Sequence, residues 1–294
     1  MIDGKKTALI KVLIPLLVLM AAEAEAFSID DIALSASRIA QGESGSIVIR
    51  TAKGLQPHAR WLENPIFLLP DGEGRSWFGF FGVDLGASPG KAFLEVSLQP
   101  SGRKQRVQAT IVAKDRGVRR LKLPREMVEL DKKALDRVQE ESLIMKEVLG
   151  APAPEPRWIG PFARPLEGEV VGPFGRRSVI NEMPRAPHSG VDLRAPLGAP
   201  VRSIHHGRVV LAAEHFFSGR SVVIDHGGAI QSLYFHLDEF KVGEGEDVAK
   251  GQVIGLAGAT GRATGPHLHF GMRVNGARVD PMQFLLLSEQ MGRP

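Results

Sequence analysis

A chain of 294 residues is long for one domain and about right for two of ordinary size. Charged residues at 24% and hydrophobic ones at 43% exclude a disordered tail protein and a multi-span membrane protein, and a net charge of +4 is too mild for a nucleic-acid binder. Nine histidines with no cysteine exclude disulfides and thiolate-held metals, so any zinc here needs His and Asp or Glu ligands.

Lys5, Lys6 and Lys11 flank the start of an apolar run from Val12 to Ala22, and Ala24-Glu25-Ala26 follows. A basic start, a short apolar stretch and an A-x-A site predict a secretory signal peptide over residues 1–26, cleaved after Ala26. The run is shorter than the ~20 residues that a membrane-spanning helix needs. The protein is expected to be exported.

From Phe27 to about Leu123, short runs rich in Val, Ile and Phe recur: Ser46–Thr51, Trp77–Val83, Phe93–Leu98 and Val107–Ala113. Turn signals at Gly42–Gly45, Pro70–Gly74, Ser88–Gly90 and Pro100–Gly102 separate them. This spacing predicts an immunoglobulin-like β-sandwich over 27–123. Its one histidine, His58, has no acidic or His neighbour at ligand spacing. The stretch Arg103–Arg125 carries nine Lys or Arg against Asp115 and reads as a solvated face more readily than as a contact for an anionic polymer.

Beyond Pro124, Met127, Leu130, Ala134, Val138, Met145 and Val148 recur at helical steps among charges, which predicts an amphipathic helix ending at Gly150. Ala151-Pro-Ala-Pro-Glu-Pro156 reads as a stiff extended linker, so 124–157 connects two domains. Over 158–294 the chain is again β-like, with strands expected at Val209–Ala213, Ser221–Asp225, Ile230–Phe235, Val253–Ala257 and His267–Val274. A helical pattern returns only near Pro281–Glu289. The fold class is therefore mainly β, and the second domain holds eight of the nine histidines.

Two spacings in that domain carry chemistry: His188-Ser-Gly-Val-Asp192 and His267-Leu-His269. Alternate residues of a strand share a face, so His267 and His269 point the same way, about 7 Å apart. His269, His188 and Asp192 would supply three N/O ligands and leave a fourth position for water, the open arrangement of a catalytic zinc site. Water held there becomes a hydroxide nucleophile near neutral pH. No His-Glu-x-x-His is present, so proton transfers fall to His267 or to His236 in Leu233-Tyr-Phe-His-Leu237. His205, His206, His215 and His226 read as turn or loop scaffold.

His188-x-x-x-Asp192, Tyr234-x-His236-Leu237 and Gly265-Pro-His267-Leu-His269-Phe270 resemble the motifs of the lysostaphin-type (LytM-like) zinc metallopeptidases. The flanks agree: Phe174-Gly-Arg-Arg177, the stretch Gly190–Val201, Gly251-Gln-Val-Ile-Gly255 and Thr260-Gly261. The resemblance covers Trp158 to Phe284, and residues 27–150 more loosely resemble the sandwich and helix that precede the peptidase in some exported members. It implies a barrel-sandwich-hybrid type of antiparallel domain and one Zn2+ ion, with His188, Asp192 and His269 as the metal ligands. His236 and His267 would be the catalytic pair, one drawing a proton from a zinc-bound water and the other stabilising the oxyanion or protonating the leaving amine.

The implied activity is hydrolysis of peptide cross-links of bacterial peptidoglycan, with D,D-endopeptidase specificity favoured over oligoglycine cleavage. Its expected partners are peptidoglycan stem peptides and cross-links, with no nucleic acid and any cell-envelope regulator unnamed. The expected location is the periplasm or cell envelope. Asn181 and Arg185, just before His188, are candidates for a substrate-facing rim, with loop solubility the other reading. Many members carry Glu where Gly271 stands here, which is expected to alter packing, not activity. The alternative is an inactive relative that binds cell wall and activates another hydrolase; the five filled positions weigh against it.

Overall fold

The computed structural model describes residues 29–99, 102–122 and 130–290. The expected signal peptide, and Pro124 and Met127 of the expected helix, lie outside the described residues. Nine strands come first: β1 (Ile29–Leu34), β2 (Arg38–Ala40), β3 (Ser44–Thr51), β4 (Gln56–Trp61), β5 (Asn64–Ile66), β6 (Leu69–Pro70), β7 (Ser76–Gly82), β8 (Gly90–Gln99) and β9 (Lys104–Val112). They form two sheets, ordered β1-β3-β7-β6 and β2-β9-β8-β4-β5. This is the strand order of an immunoglobulin-type sandwich with its first strand divided between the sheets. Alternation builds the core: Ala92, Leu94 and Val96 of β8 are buried against Ile47, Ile49 and Phe81 of the other sheet, around Trp61.

Strand β7 is apolar on both faces. Phe81 packs on Trp61 inside the sandwich, with ring centroids 4.5 Å apart. Phe80 points the other way, into the core of the second unit, 4.9 Å from the Phe284 ring and 5.4 Å from the Trp158 ring. Polar contacts frame that junction. Asp84 pairs with Arg278 at 2.7 Å, and Gln283 closes two hydrogen bonds with the Ser44 backbone at 2.8 and 3.1 Å. The two units are packed together as one core would be.

After the sandwich come β10 (Val118–Leu121) and α1 (Lys132–Gly150). Asp131 caps α1 by accepting the Ala134 N–H at 2.7 Å. Met145, Val148 and Leu149 of α1 rest on Leu211, Val223 and Leu233 of the second unit. The Pro-rich stretch that follows is pinned in place, not free: Ala153 N donates to Asp225 Oδ2 at 2.6 Å and Arg157 N to His226 O at 2.8 Å.

The second unit contains β11 (Val170–Gly172), β12 (Arg177–Ile180), β13 (Met183–Pro184), β14 (Gly190–Arg194), β15 (Pro200–Arg202), β16 (Gly207–His215) and β17 (Gly219–Asp225). It continues with β18 (Ile230–Phe240), β19 (Asp247–Val248), β20 (Val253–Ala257), β21 (His267–Val274), β22 (Ala277–Val279) and α2 (Pro281–Gln290). Its main sheet runs β11-β14-β21-β18-β17-β16-β19, antiparallel throughout. Strand β10 pairs in parallel with β12, so chain from ahead of α1 joins the hairpin that leads to His188. Among the described residues no helix is long and apolar enough to cross a membrane.

Candidate active site

Strands β14 and β21 pair with Asp192 opposite His269 and Arg194 opposite His267. Residues opposite one another on antiparallel strands share a face, so this register alone brings the carboxylate to the imidazole. The loop before β14 delivers His188, fixed by its backbone to Arg176 and Gly175 at 3.0 and 2.8 Å. The donor atoms then form a nearly equilateral triangle: His188 Nε2 to His269 Nδ1 is 2.9 Å, His188 Nε2 to Asp192 Oδ1 is 3.1 Å, and His269 Nδ1 to Asp192 Oδ1 is 3.0 Å. A tetrahedral ion with bonds of about 2.0–2.1 Å needs donors about 3.3 Å apart. The triangle fits such an ion, and its N/N/O chemistry is that of zinc.

Two glycines permit the approach. A Cβ on Gly172 of β11 would collide with the Asp192 carboxylate, and one on Gly190 would lie 2.7 Å from His269 Nε2. Burial pushes the Asp192 carboxyl up, but hydrogen bonds from His188 and His269 outweigh it and hold the group well below the usual carboxylate range. Burial likewise opposes protonation of His188, yet the neighbouring Asp192 raises its pKa overall. For His269 burial wins and the pKa falls.

Hydrogen bonding fixes three tautomers. His188 Nδ1 meets Pro173 O at 3.1 Å, His267 Nδ1 meets Gly265 O at 2.8 Å, and His236 Nδ1 meets Thr260 O at 2.8 Å. A carbonyl only accepts, so each ring in its neutral form carries its proton on Nδ1 and presents a bare Nε2. His267 Nε2 lies 3.7 Å from Asp192 Oδ1. Burial lowers the His236 pKa to about 4, so this ring is neutral near pH 7.

His236 reaches the site through an unusual backbone. Its φ is +63°, left-handed for a residue inside a strand. Ordinary alternation would send Phe235 and His236 to opposite faces. Here Phe235 stacks on His269, centroids 5.3 Å apart and 5° from parallel, while the His236 ring lies 4.8 Å from His267 and 6.2 Å from His269. The structure thus gathers all five sequence-predicted residues.

Asn181 sits in the β12–β13 turn with φ +50°, followed by Glu182 at +67°. Arg185 is exposed on the segment leading from that turn to His188, and its charge acts with burial to lower the pKa of Arg262, beyond Thr260. Arg185 thus stands three residues before His188, with its charge felt at Arg262. Sequence reasoning missed Phe235 and the carbonyl anchors of Pro173, Thr260 and Gly265. The Gly-Pro pairs at 172–173 and 265–266 were the available signal, since such dipeptides mark tight turns.

The remaining histidines are scaffold. His226, fully buried, bonds His206 O through Nδ1 at 2.8 Å and Ser232 Oγ through Nε2 at 2.7 Å. His205 is buried against Phe162, His215 is buried at the end of β16, and His58 and His206 are exposed. A Cβ on Gly271 would meet only ordinary contacts at 3.5 Å or more, so a larger residue is not sterically barred there.

Residues 186–281 match the model of Peptidase family M23. The chain is 46% identical over 97 residues to the peptidoglycan DD-endopeptidase ShyB of Vibrio cholerae, covering 33% of this chain and 23% of that one. It is 40% identical over 104 residues to the DD-carboxypeptidase/endopeptidase Mpg of Neisseria meningitidis, covering 35% and 24%. The chain thus spans about a quarter of the length of these curated relatives. A solved Pseudomonas aeruginosa structure, described as a candidate M23 peptidase, superposes with a TM-score of 0.66 at 29% identity, covering 84% of this chain and 95% of that one. The fold, the gathered His and Asp residues and these likenesses agree that residues 186–281 carry a Peptidase family M23 domain.

Proposed function

We propose that this chain is an exported zinc endopeptidase that hydrolyses peptide cross-links of bacterial peptidoglycan, with D,D-endopeptidase specificity. The observation that carries the reading is the donor triangle of His188, Asp192 and His269 beside two imidazoles whose Nδ1 positions are tied to carbonyls. The names of the relatives support the substrate class, since ShyB is a peptidoglycan DD-endopeptidase and Mpg a DD-carboxypeptidase/endopeptidase. His188 Nε2, Asp192 Oδ1 and His269 Nδ1 would hold one zinc ion. When bound, the ion supplies Lewis acidity and lowers the pKa of a coordinated water to near 7.

The chain's own groups do the rest. His236 and His267 each have a bare Nε2 that can take a proton from the attacking water and later return one to the leaving amine. Their Nδ1–H bonds fix the direction of that nitrogen. The neutral state of His236 suits it to accept. Phe235 covers one face of His269 and keeps the ring from turning. Asn181 of the β12–β13 turn and Arg185, which leads to His188, would meet the peptide strand of a bound substrate.

Mass spectrometry of muropeptides digested with the protein tests the reading. Cross-linked dimers should be cut to monomers, the products should vanish with a chelator and return with zinc. No products, or products indifferent to chelation, would sink it. Export through residues 1–26 predicts that the mature protein recovered from a bacterial envelope begins at Phe27, as N-terminal sequencing would read.

A further inference from the structure

Helix α1 lies outside residues 186–281, yet it reaches the hairpin turn beside His236. Glu141 Oε2 accepts the Phe216 N–H at 2.8 Å, while Oε1 takes Arg137 Nε at 2.6 Å. Arg137 also donates to Glu214 O at 3.3 Å, so the helix grips the outer edge of the β16–β17 turn at two points. The Glu141 side chain is only 14% exposed, which makes it a fixed partner and not a solvated one.

The inner edge of the same turn faces the site. Ser218 O accepts the His236 N–H at 2.8 Å, and Phe217 O accepts the Arg262 N–H at 2.9 Å. Thr260, whose carbonyl holds His236 Nδ1, donates its hydroxyl to Leu237 O at 2.7 Å and accepts the Arg220 N–H at 2.9 Å. Turn and segment lie flush: a Cβ on Gly219 would strike Thr260, and one on Gly261 would strike Gly219. Both hydrogen bonds that hold His236, at its backbone and at its ring, therefore end on groups packed at this turn. A left-handed non-glycine backbone persists only where its surroundings over-determine it.

We propose that Glu141 is a positioning residue for His236, acting through the Phe216–Ser218 turn. The catalytic arm of this proposal rests on the zinc-peptidase reading; the structural arm does not. Without the carboxylate, Phe216 N–H loses its acceptor, the turn loosens, and the imidazole leaves its bond to Thr260 O.

The test uses the full chain with Glu141→Ala and Glu141→Gln, the latter keeping an oxygen that can accept from Phe216. NMR of histidine-labelled protein reads the hydrogen-bonded His236 Nδ1–H, and muropeptide cleavage reads turnover. Glu141→Ala should lose that signal and lower kcat about 5- to 50-fold with little change in KM, as a misplaced proton-transfer group does. Glu141→Gln should keep the signal and most of kcat. An unchanged signal in Glu141→Ala, a loss confined to KM, or a Gln variant as damaged as the Ala one would overturn the proposal. Should Glu141→Ala not fold, Glu141→Asp withdraws the carboxylate from Phe216 while keeping its charge, and should lose the signal; an unchanged signal there would count equally against the idea. If the wild type cleaves no muropeptide, the peptidase reading fails, while the Nδ1–H signal still decides this one.

Discussion

At the scale of single residues, the site depends on how close Asp192 stands to two imidazoles. Gly172→Ala should push the carboxylate away without replacing any ligand, because its Cβ and Asp192 Oδ2 cannot share the space. Zinc affinity, titrated against a competing chelator, should fall about 10- to 100-fold, the range that outer-shell changes produce. An Ala variant that binds zinc like the wild type would show that β11 does not set the triangle. The scaffold histidines give a separate prediction in pH. Burial lowers His226 to about 3 and His205 to about 4, both below the ordinary value of 6.5. The unfolded chain then binds more protons below pH 6.5, so stability should fall as the pH drops from 6.5 toward 4. The slope is about 1 kcal/mol per pH unit for each group. Urea midpoints between pH 7 and 4.5 measure it, and a flat profile would refute the assignment.

At the scale of elements, the sequence was informative wherever side chains alternate with period two. Val253–Ala257 and His267–Val274 are strands with the expected bounds, and the His-x-His pair lies on one face for the same reason. The cap of α1 was less legible, since Asp131 lies within the helical pattern and only the bond from Ala134 N identifies its role. Asp131→Ala should cost about 1 kcal/mol of stability, read from a urea melt. Strand β14 escaped notice because its alternation, apolar Val191 and Leu193 against polar Asp192 and Arg194, spans only five residues. The Phe235–His236 arrangement could not be read at all, because a left-handed φ at a histidine inverts the alternation on which strand reasoning depends. Nor could residue patterns show that Glu141, which looks like any exposed helix acid, meets the Phe216 backbone.

At the scale of the whole molecule, the two units share apolar surface, so neither is a detachable part. Phe80 belongs to the sandwich by sequence and to the peptidase core by packing, beside Trp158, Phe162 and Phe284. Phe80→Ala should cost about 3–5 kcal/mol, the usual range for a buried Phe truncation. Calorimetry of that variant should show one transition shifted down, and an unshifted melt would mean that the junction contributes little. A chain shortened to begin at residue 151 should be less stable for the same reason. The Asp84–Arg278 pair adds a weaker link. Burial raises the Asp84 carboxyl, but hydrogen bonds from Arg278 overcome it and hold the group at about 2. A depressed pKa means stability present above pH 3.8 and lost as the pH falls toward 2, and solvent screening keeps it modest.

The position of Trp158 gives the junction an optical signature. Of the three tryptophans, Trp61 and Trp77 belong to the sandwich, and Trp158 alone stands between the units, 1% exposed. In a chain with Trp61 and Trp77 replaced by Phe, emission comes from the boundary itself. Separation of the two units on contact with cell wall would move that emission to the red, and an unmoved spectrum would identify a body that works closed.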